Sequence, residues 1–392
     1  MPRAASCLLL ALTLVLAPAP APFLAAAQEP QKPGSQSVQK CTKCRSQGRL
    51  PCAEHTLEEC KSEALVQYCS MIDGCASCGG LGWLDCAACV DAPVEKALAE
   101  RKLEFERGRA RLAPFEEFMG RELRMVEDPN FVVIWELDEL KVGKQRLGAH
   151  ALAHLYLARM QAVRGAYMEA LRADPLDFKV KNQMMFWGLV ADHHRAAAKW
   201  CEMTGDGSMK LMGAVANFTV CAARKYFPDD RALHRHVAHN LSHLLLSHQA
   251  PSNWLGRIGA GWADEGLAHW MEDRVLQECG TYCYEEVNTS QQPRPGPWKP
   301  AWRKLVAKGE APGLPSMLTL NTDQLSPEQH MAAFSAVDYL LQLDGARANQ
   351  LFKLLRQRKP PREALAEIYK MNPLELQAAW HAWVLETYPL VK

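Results

Sequence analysis

Two histidines four positions apart, with a glutamate further along the chain, are the residues whose spacing best suits chemistry. His239 and His243 enclose the run Asn240-Leu241-Ser242, and Glu265 follows the second histidine by 22 residues. Histidines at this spacing share one face of a helix, so both imidazoles can bind the same metal ion, and a carboxylate from a following helix can supply a third ligand. We predict that these three residues form a metal site.

The residue after the first histidine decides what such a site can do. In the pattern H-E-x-x-H that residue is a glutamate, which takes a proton from the metal-bound water. Here the position holds Asn240. An amide cannot accept that proton, and loss of a general base typically slows a reaction by ~10²–10⁴. We therefore predict metal binding with impaired hydrolysis. Residual hydrolysis is the alternative, because zinc alone lowers the pKa of bound water to about 7.

A second group of candidate ligands lies near the amino terminus, where cysteines recur at fixed spacing. Cys41 and Cys44 are followed after seven residues by the pair Cys52 and His55. A second copy with the same spacing consists of Cys75, Cys78, Cys86 and Cys89. Two such turns complete a tetrahedral zinc site, in which histidine can replace a sulfur ligand. We predict two zinc ions here, in addition to the one at the histidine pair.

Disulfides are the alternative for these cysteines, because an exported protein meets an oxidising environment. Of 14 cysteines, Cys7 lies in a predicted signal peptide, which leaves an odd 13. If seven of these and His55 bind two zinc ions, an even six remain, so zinc in the module and disulfides elsewhere are compatible. Two arrangements of the zinc sites stay open: adjacent pairs can combine, or the outer and inner pairs can nest.

The segment from Cys75 to Gly82 resembles the C-x-x-C-x-G-x-G repeat of the DnaJ-type cysteine-rich domain, a zinc-binding module. The first copy departs from the repeat, because it keeps only Gly48 of the two glycines and has His55 in place of a cysteine. The resemblance implies zinc binding. It also provides an alternative function, that of a chaperone-like or scaffold protein.

The amino terminus and the charge balance limit the class of protein. Residues 1–27 have the parts of a secretory signal: Arg3, an apolar run and the small residues Ala25-Ala26-Ala27. Because the apolar run is shorter than the ~20 residues that span a bilayer, we expect cleavage, a periplasmic or secreted protein, and no stable membrane insertion. A formal net charge of +1 gives no general reason to expect binding to nucleic acid, and peptide or protein is the expected partner.

The chain alternates between extended and helical patterns before the histidines and is mostly helical after them. We predict strands over residues 131–135, 178–190 and 210–222. We predict helices over residues 91–126, 147–172, 192–202 and 327–390, and a proline-rich surface loop over 291–315.

Two other features concern histidines. His150 and His154 also lie four residues apart on a predicted helix, but no acidic residue follows in register, so we interpret them as a packed helix face. His269 lies four residues after Glu265 and is expected to contact the metal ligands from outside.

The flanks of the histidine pair resemble the peptidase MA-like, or gluzincin, group of bacterial metallopeptidases. The resemblance is carried by residues 237–245, by Trp262 and by the segment Glu265-Gly266-Leu267-Ala268, with further likeness in residues 334–341 and 373–380. It implies an α+β fold in which a mixed sheet packs on helices and the C-terminal part is helical. It also implies that His239, His243 and Glu265 bind zinc, while Asn240 occupies the position of the catalytic glutamate.

These patterns together predict four parts: a signal peptide (1–27), a small cysteine-rich zinc module (28–90), a helical linker (91–130) and a gluzincin-like domain (131–392). The first hypothesis is an exported zinc-binding, metallopeptidase-like protein with impaired catalysis and a peptide-binding cleft. The alternatives are an active zinc metallohydrolase that uses another base, and the chaperone-like scaffold protein. The sequence gives no prediction of oligomeric state.

Overall fold

The computed structural model describes residues 41–45, 47–54, 66–72, 74–88, 92–283 and 295–390. The predicted signal peptide, His55 and Cys89 lie outside these residues. The described chain mixes helices with a mixed sheet, which agrees with the predicted α+β class. None of its helices combines the length and the apolar character needed to cross a membrane.

A six-stranded sheet forms the centre of the protein. Its strands, in spatial order, are β2 (Tyr68–Cys69), β4 (Met125–Glu127), β5 (Phe131–Trp135), β8 (Asn182–Trp187), β10 (Asn217–Cys221) and β9 (Met209–Leu211). The neighbours β5, β8 and β10 run parallel, whereas β2, β4 and β9 pair antiparallel with their neighbours. Two further pairs stand apart from this sheet: β1 (Arg49–Pro51) with β3 (Trp83–Asp85), and β6 (Glu139–Val142) with β7 (Gln145–Gly148).

Both faces of the sheet are covered, which explains why its central strands are apolar throughout. Successive side chains of a strand point to opposite faces. On β5, Phe131, Val133 and Trp135 enter the larger core, whereas Val132 and Ile134 enter a second core with residues of α1 (Ala92–Met119). The larger core also contains α2 (Ala149–Leu171) and α4 (Asp230–His248), so α4 packs inside the protein.

Several predicted elements differ from the observed ones. The helix predicted to reach residue 126 ends at Met119, because Gly120 adopts a positive φ of 70° and the apolar residues after it join the sheet as β4. The strand predicted over 178–190 is confined to β8. The strand predicted over 210–222 is two strands, β9 and β10, separated by a turn at Gly213 with φ of 105°.

The helices around α4 complete the core. After α3 (Val190–Ala196) and one π turn, the chain forms α4 and then α5 (Gly261–Leu276). Helix α5 packs closely on α7 (Pro327–Arg356), where a Cβ on Gly266 would lie only 2.5 Å from the carbonyl oxygen of Ala333. A glycine is therefore required at this crossing. Helices α8 (Pro361–Tyr369) and α9 (Pro373–Thr387) follow, as the predicted helical ending required.

The loop predicted over residues 291–315 is wrong over 298–308, which form α6 (Trp298–Lys308). Proline content suggested a loop, but Trp298 and Trp302 lie one helical turn apart and are both buried. Trp302 stacks on Trp380 of α9, with ring centroids 5.4 Å apart and planes at 14°. Burial of these rings stabilises the helix against its weak local propensity.

An ion pair at the start of α4 anchors this helix to α2. The Asp230 carboxylate accepts hydrogen bonds from the Arg159 guanidinium at 2.6 and 2.9 Å and from the Tyr156 hydroxyl at 2.9 Å. Partial burial raises the pKa of Asp230, but Arg159 and Tyr156 outweigh this effect and hold the pKa below its ordinary value. The carboxylate therefore stabilises the fold above the pKa of an unfolded aspartate, and the stabilisation is lost as pH falls through the lower pKa of the folded state.

We expect Asp230→Asn to lower the free energy of unfolding by about 1–3 kcal/mol at neutral pH, because it weakens hydrogen bonds to a charged group. The difference from the parent should shrink in acid, where the parent carboxylate is protonated. Urea unfolding at neutral and acidic pH measures both effects. Asp138→Asn is the control, since Asp138 is exposed and its loss should change little. A difference that is independent of pH would contradict the electrostatic origin.

Candidate metal centre

Four buried side chains from three parts of the chain direct donor atoms at one point. His239 and His243 lie on α4 with their Nε2 atoms 3.0 Å apart. Glu265, on α5, places Oε2 at 3.5 Å from Nε2 of His239 and Oε1 at 3.4 Å from Nε2 of His243. The fourth donor is Cys283, whose Sγ is 3.6 Å from each Nε2. The structure thus brings the three predicted residues together and adds a thiol.

Cys283 was not identified from the sequence, where it was only one of the six cysteines that remain when the predicted signal peptide and zinc ligands are set aside. The segment that carries it follows α5 and is held by a residue of that helix. The Glu272 carboxylate accepts hydrogen bonds from the backbone N–H groups of Gly280 at 2.7 Å and Thr281 at 3.2 Å. These contacts place Cys283 against the histidines. The cysteine count gave no signal for it, because the six remaining cysteines are an even number that disulfides could use.

Each histidine has a carboxylate behind it. Nδ1 of His239 lies 2.8 Å from Oε1 of Glu272, and Nδ1 of His243 lies 3.0 Å from Oδ1 of Asp264. A carboxylate at Nδ1 orients an imidazole and directs Nε2 toward a metal ion. His269 occupies the outer position expected for it, with Nε2 at 3.7 Å from Oε2 of Glu265. This arrangement is typical of histidine metal ligands.

Asn240 is buried and already has partners on both sides of its amide. Its Nδ2 donates to the backbone oxygen of His236 at 2.8 Å, and its Oδ1 accepts from Nζ of Lys210 at 2.8 Å. Lys210, on β9, also donates to Sγ of Cys283 at 2.8 Å. Burial raises the pKa of the Cys283 thiol, but Lys210 and the histidines lower it to about 6. The sulfur is therefore held as the thiolate, which is the metal-binding form.

The charges at this point fit a metal ion. Glu265 is fully buried, and neither of its carboxylate oxygens accepts a hydrogen bond from any residue that the structure describes. Burial raises the pKa of Glu265, but His243 and His239 lower it well below its ordinary value, so the carboxylate is charged. A buried carboxylate beside a thiolate is costly without positive charge between them. A cation bound by His239, His243, Glu265 and Cys283 would supply that charge.

The cysteine-rich segment brings together two more sets of donors. Cys41, Cys44 and Cys86 form one set, with Sγ of Cys41 3.9 Å from Sγ of Cys86. Cys52, Cys75 and Cys78 form the other, with Sγ of Cys52 3.9 Å from Sγ of Cys75. The remaining residues predicted to bind these ions, His55 and Cys89, lie outside the described chain. Among the described cysteines, Cys86 therefore lies with the outer pair and Cys52 with the inner pair, which favours the nested arrangement.

The described parts of the two cysteine copies share one local feature. In each, a glycine with φ of 74° follows the second cysteine, and its backbone N–H donates to that sulfur at 3.3 Å: Gly48 to Cys44, and Gly82 to Cys78. A positive φ of this size favours glycine. Strands β1 and β3 begin immediately after these glycines and pair with each other, which joins the two copies. None of the described cysteines forms a disulfide.

Double substitutions distinguish nested from adjacent pairing. We expect Cys41→Ser combined with Cys86→Ser to remove one metal ion, because both sulfurs belong to one set. We expect Cys41→Ser combined with Cys52→Ser to remove two, because the sulfurs belong to different sets. Metal analysis of the purified variants by mass spectrometry measures the loss. The opposite order of losses would show that adjacent pairs combine.

An open groove lies beside the metal centre, along the edge strand β9. It has a volume of about 330 Å³ and is lined by residues 201–203 and 208–212 together with Trp254 and Arg257. Lys210 belongs to this lining and also contacts Asn240 and Cys283. The groove and the metal centre therefore share one side chain.

No model of a known protein family matches this chain. No curated protein matches it either.

Proposed function

We propose that this protein is an exported, zinc-binding, peptidase-like protein that binds extended peptides and does not hydrolyse them. The observation that carries the proposal is the position of Cys283. Its thiolate lies against both histidines, at a fourth donor position of the centre. Zinc sites with three protein ligands leave a position for water and are typically catalytic, whereas sites with four protein ligands are closed and structural.

The donors of the centre favour zinc. Two imidazoles, one thiolate and one carboxylate are all ligands that zinc accepts, and four is the number that it prefers. His239 and His243 would hold the ion from α4, Glu265 from α5 and Cys283 from the segment after α5. A bound zinc ion supplies positive charge and a fixed link between these three parts. That role requires no proton transfer.

Two features oppose hydrolysis. Cys283 lies at the fourth donor position, which a catalytic zinc site leaves to water, and Asn240 cannot act as the proton acceptor. The other nearby carboxylates are already engaged: Asp264 contacts His243 and accepts from Nε1 of Trp254 at 2.7 Å, and Glu272 contacts His239 and two backbone N–H groups. The arrangement therefore disfavours an active hydrolase with a substitute base.

The edge strand β9 supports the peptide-binding part of the proposal. It is the last strand of the main sheet and pairs only with β10 among the described strands. Edge strands can bind an extended peptide as an added strand, through main-chain hydrogen bonds. The groove along β9 offers apolar surface from the half-buried Leu211 and Met212 and a positive charge from the exposed Arg257. Extended peptides with an acidic side chain fit this chemistry.

The proposal is tested with the purified mature protein and a set of labelled extended peptides. We expect zinc in the preparation, no cleavage of the peptides, and binding that Arg257→Glu weakens severalfold by reversing the charge in the groove. Lys308→Glu is the control, because Lys308 is an exposed lysine on α6, a helix that does not line the groove. Cleavage of the peptides that stops when a chelator removes the metal ion would refute the proposal that the centre is inactive. Equal peptide affinity of the parent and both variants would refute the proposal that peptides bind in the groove.

A further inference from the structure

A further group of potential metal ligands lies away from the centre on α4, between α2 and the edge of the sheet. Cys69 of β2 is buried, with its Sγ 3.5 Å from Nε2 of His154 and 3.9 Å from Nε2 of His150. Both histidines lie on the first turns of α2. His154 is buried and His150 is half-buried. These three donors lie close enough together for one ion.

The arrangement is more than packing of polar residues. A cysteine thiol has one proton to donate, yet two imidazole nitrogens converge on this sulfur. Nδ1 of His154 is also buried and has no hydrogen-bond partner among the residues that the structure describes. The ring centroids of His150 and His154 are 4.7 Å apart, the same separation as for His239 and His243. Both helices therefore present a histidine pair and face a cysteine from a distant segment.

We propose that Cys69, His150 and His154 bind a thiophilic d-block ion, zinc or copper(I), at a site separate from the centre on α4. A thiolate with two imidazoles is a donor set that both ions accept. The interpretation of His150 and His154 as a packed helix face lacked the third donor, which comes from 81 residues earlier than His150 in the chain.

The burial of the three donors predicts how the ion is held. If the ion is zinc, three protein ligands leave a fourth coordination position. The half-buried His150 gives the site a side that solvent reaches. The ion is therefore exchangeable and accessible to a small external ligand. It also has a structural effect, because β2 has only two residues and pairs with β4 through Tyr68 and Cys69. The ion fastens this short strand to α2.

The test counts metal ions in variants of the full mature protein by native mass spectrometry. We expect His150→Ala, Cys69→Ser and the double variant each to hold one ion fewer than the parent, since all three changes affect one site. His194→Ala is the matched control, because His194 is a half-exposed helical histidine that pairs with Asp206 and should lose no ion. Circular dichroism establishes that each variant folds. If Cys69→Ser fails to fold, the half-buried His150→Ala decides.

Reloading identifies the ion. The metal-free parent and His150→Ala are each titrated with zinc sulfate and, under reducing conditions, with copper(I). For one of these ions, we expect the parent to take up one equivalent more than His150→Ala. That ion is the one that the site binds. Equal uptake of both ions by parent and variant would overturn the proposal. A disulfide at Cys69 in the purified parent, found by peptide mapping, would also overturn it.

Discussion

Replacement of His243 by alanine should remove one metal ion from each chain and lower the free energy of unfolding by about 3–5 kcal/mol. The expected loss is large because the change leaves charged groups buried without a counter-charge. Glu265 and Asp264 both contact His243, and both carboxylates are almost completely buried. Metal analysis gives the change in stoichiometry, and denaturant unfolding gives the change in stability.

His248→Ala separates loss of the metal from loss of packing. His248 is also a buried histidine of α4, but its Nδ1 contacts the backbone oxygen of Leu244, away from the metal centre. We expect this control to keep the full metal content while losing some stability. Chelation should destabilise the control as much as the parent, and should destabilise His243→Ala less. If His243→Ala retained every ion, the four donors would not form a metal site.

The combination of Asn240→Glu with Cys283→Ala should produce peptide hydrolysis far above that of either single variant. Asn240→Glu supplies a proton acceptor, and Cys283→Ala vacates the position beside the histidines for water. In Asn240→Glu alone, the Cys283 thiolate still occupies the fourth donor position. In Cys283→Ala alone, water can enter but no residue accepts its proton. Because general-base assistance is typically worth ~10²–10⁴ in rate, the double variant should exceed Cys283→Ala by a factor of that size. Cleavage of a labelled extended peptide measures the rates.

Lys210 provides a second step in the same experiment. A glutamate at position 240 would lie beside the Lys210 ammonium, which now donates to the Asn240 amide, and a carboxylate so paired is a weaker base. We expect addition of Lys210→Gln to raise the activity of the double variant further. Glu265→Ala in the same background should abolish it. Hydrolysis by Asn240→Glu alone would show that Cys283 does not close the centre.

The sequence was informative wherever a side-chain pattern has a fixed geometric meaning. Histidines four apart must share a helix face, so the pairing of His239 with His243 could be predicted. The apolar run over residues 131–135 could only be a buried strand or part of a buried helix, and its β-branched residues favoured the strand. The helical ending after residue 327 followed from its periodicity and from clear turn residues.

The sequence was uninformative where segments outside regular secondary structure carry the ligands, and where equally spaced cysteine turns can pair in more than one way. Cys283 reaches the histidines because Glu272 holds the backbone at Gly280 and Thr281, and such contacts leave no periodic pattern. Cys69 approaches His150 only because a two-residue strand joins the sheet edge. The nested pairing of the cysteine turns was hidden for a different reason, since equal spacing in both copies fits either pairing. Tertiary contacts decided all three cases.

The side chain of Lys210 has a thermodynamic consequence. It belongs to the edge strand, and its ammonium touches both the Asn240 amide and the Cys283 sulfur. If a peptide adds to this strand as proposed and displaces the ammonium, it takes positive charge away from the thiolate and so alters how tightly a bound ion is retained. Linkage makes this effect reciprocal: the factor by which the peptide changes zinc affinity equals the factor by which zinc changes peptide affinity.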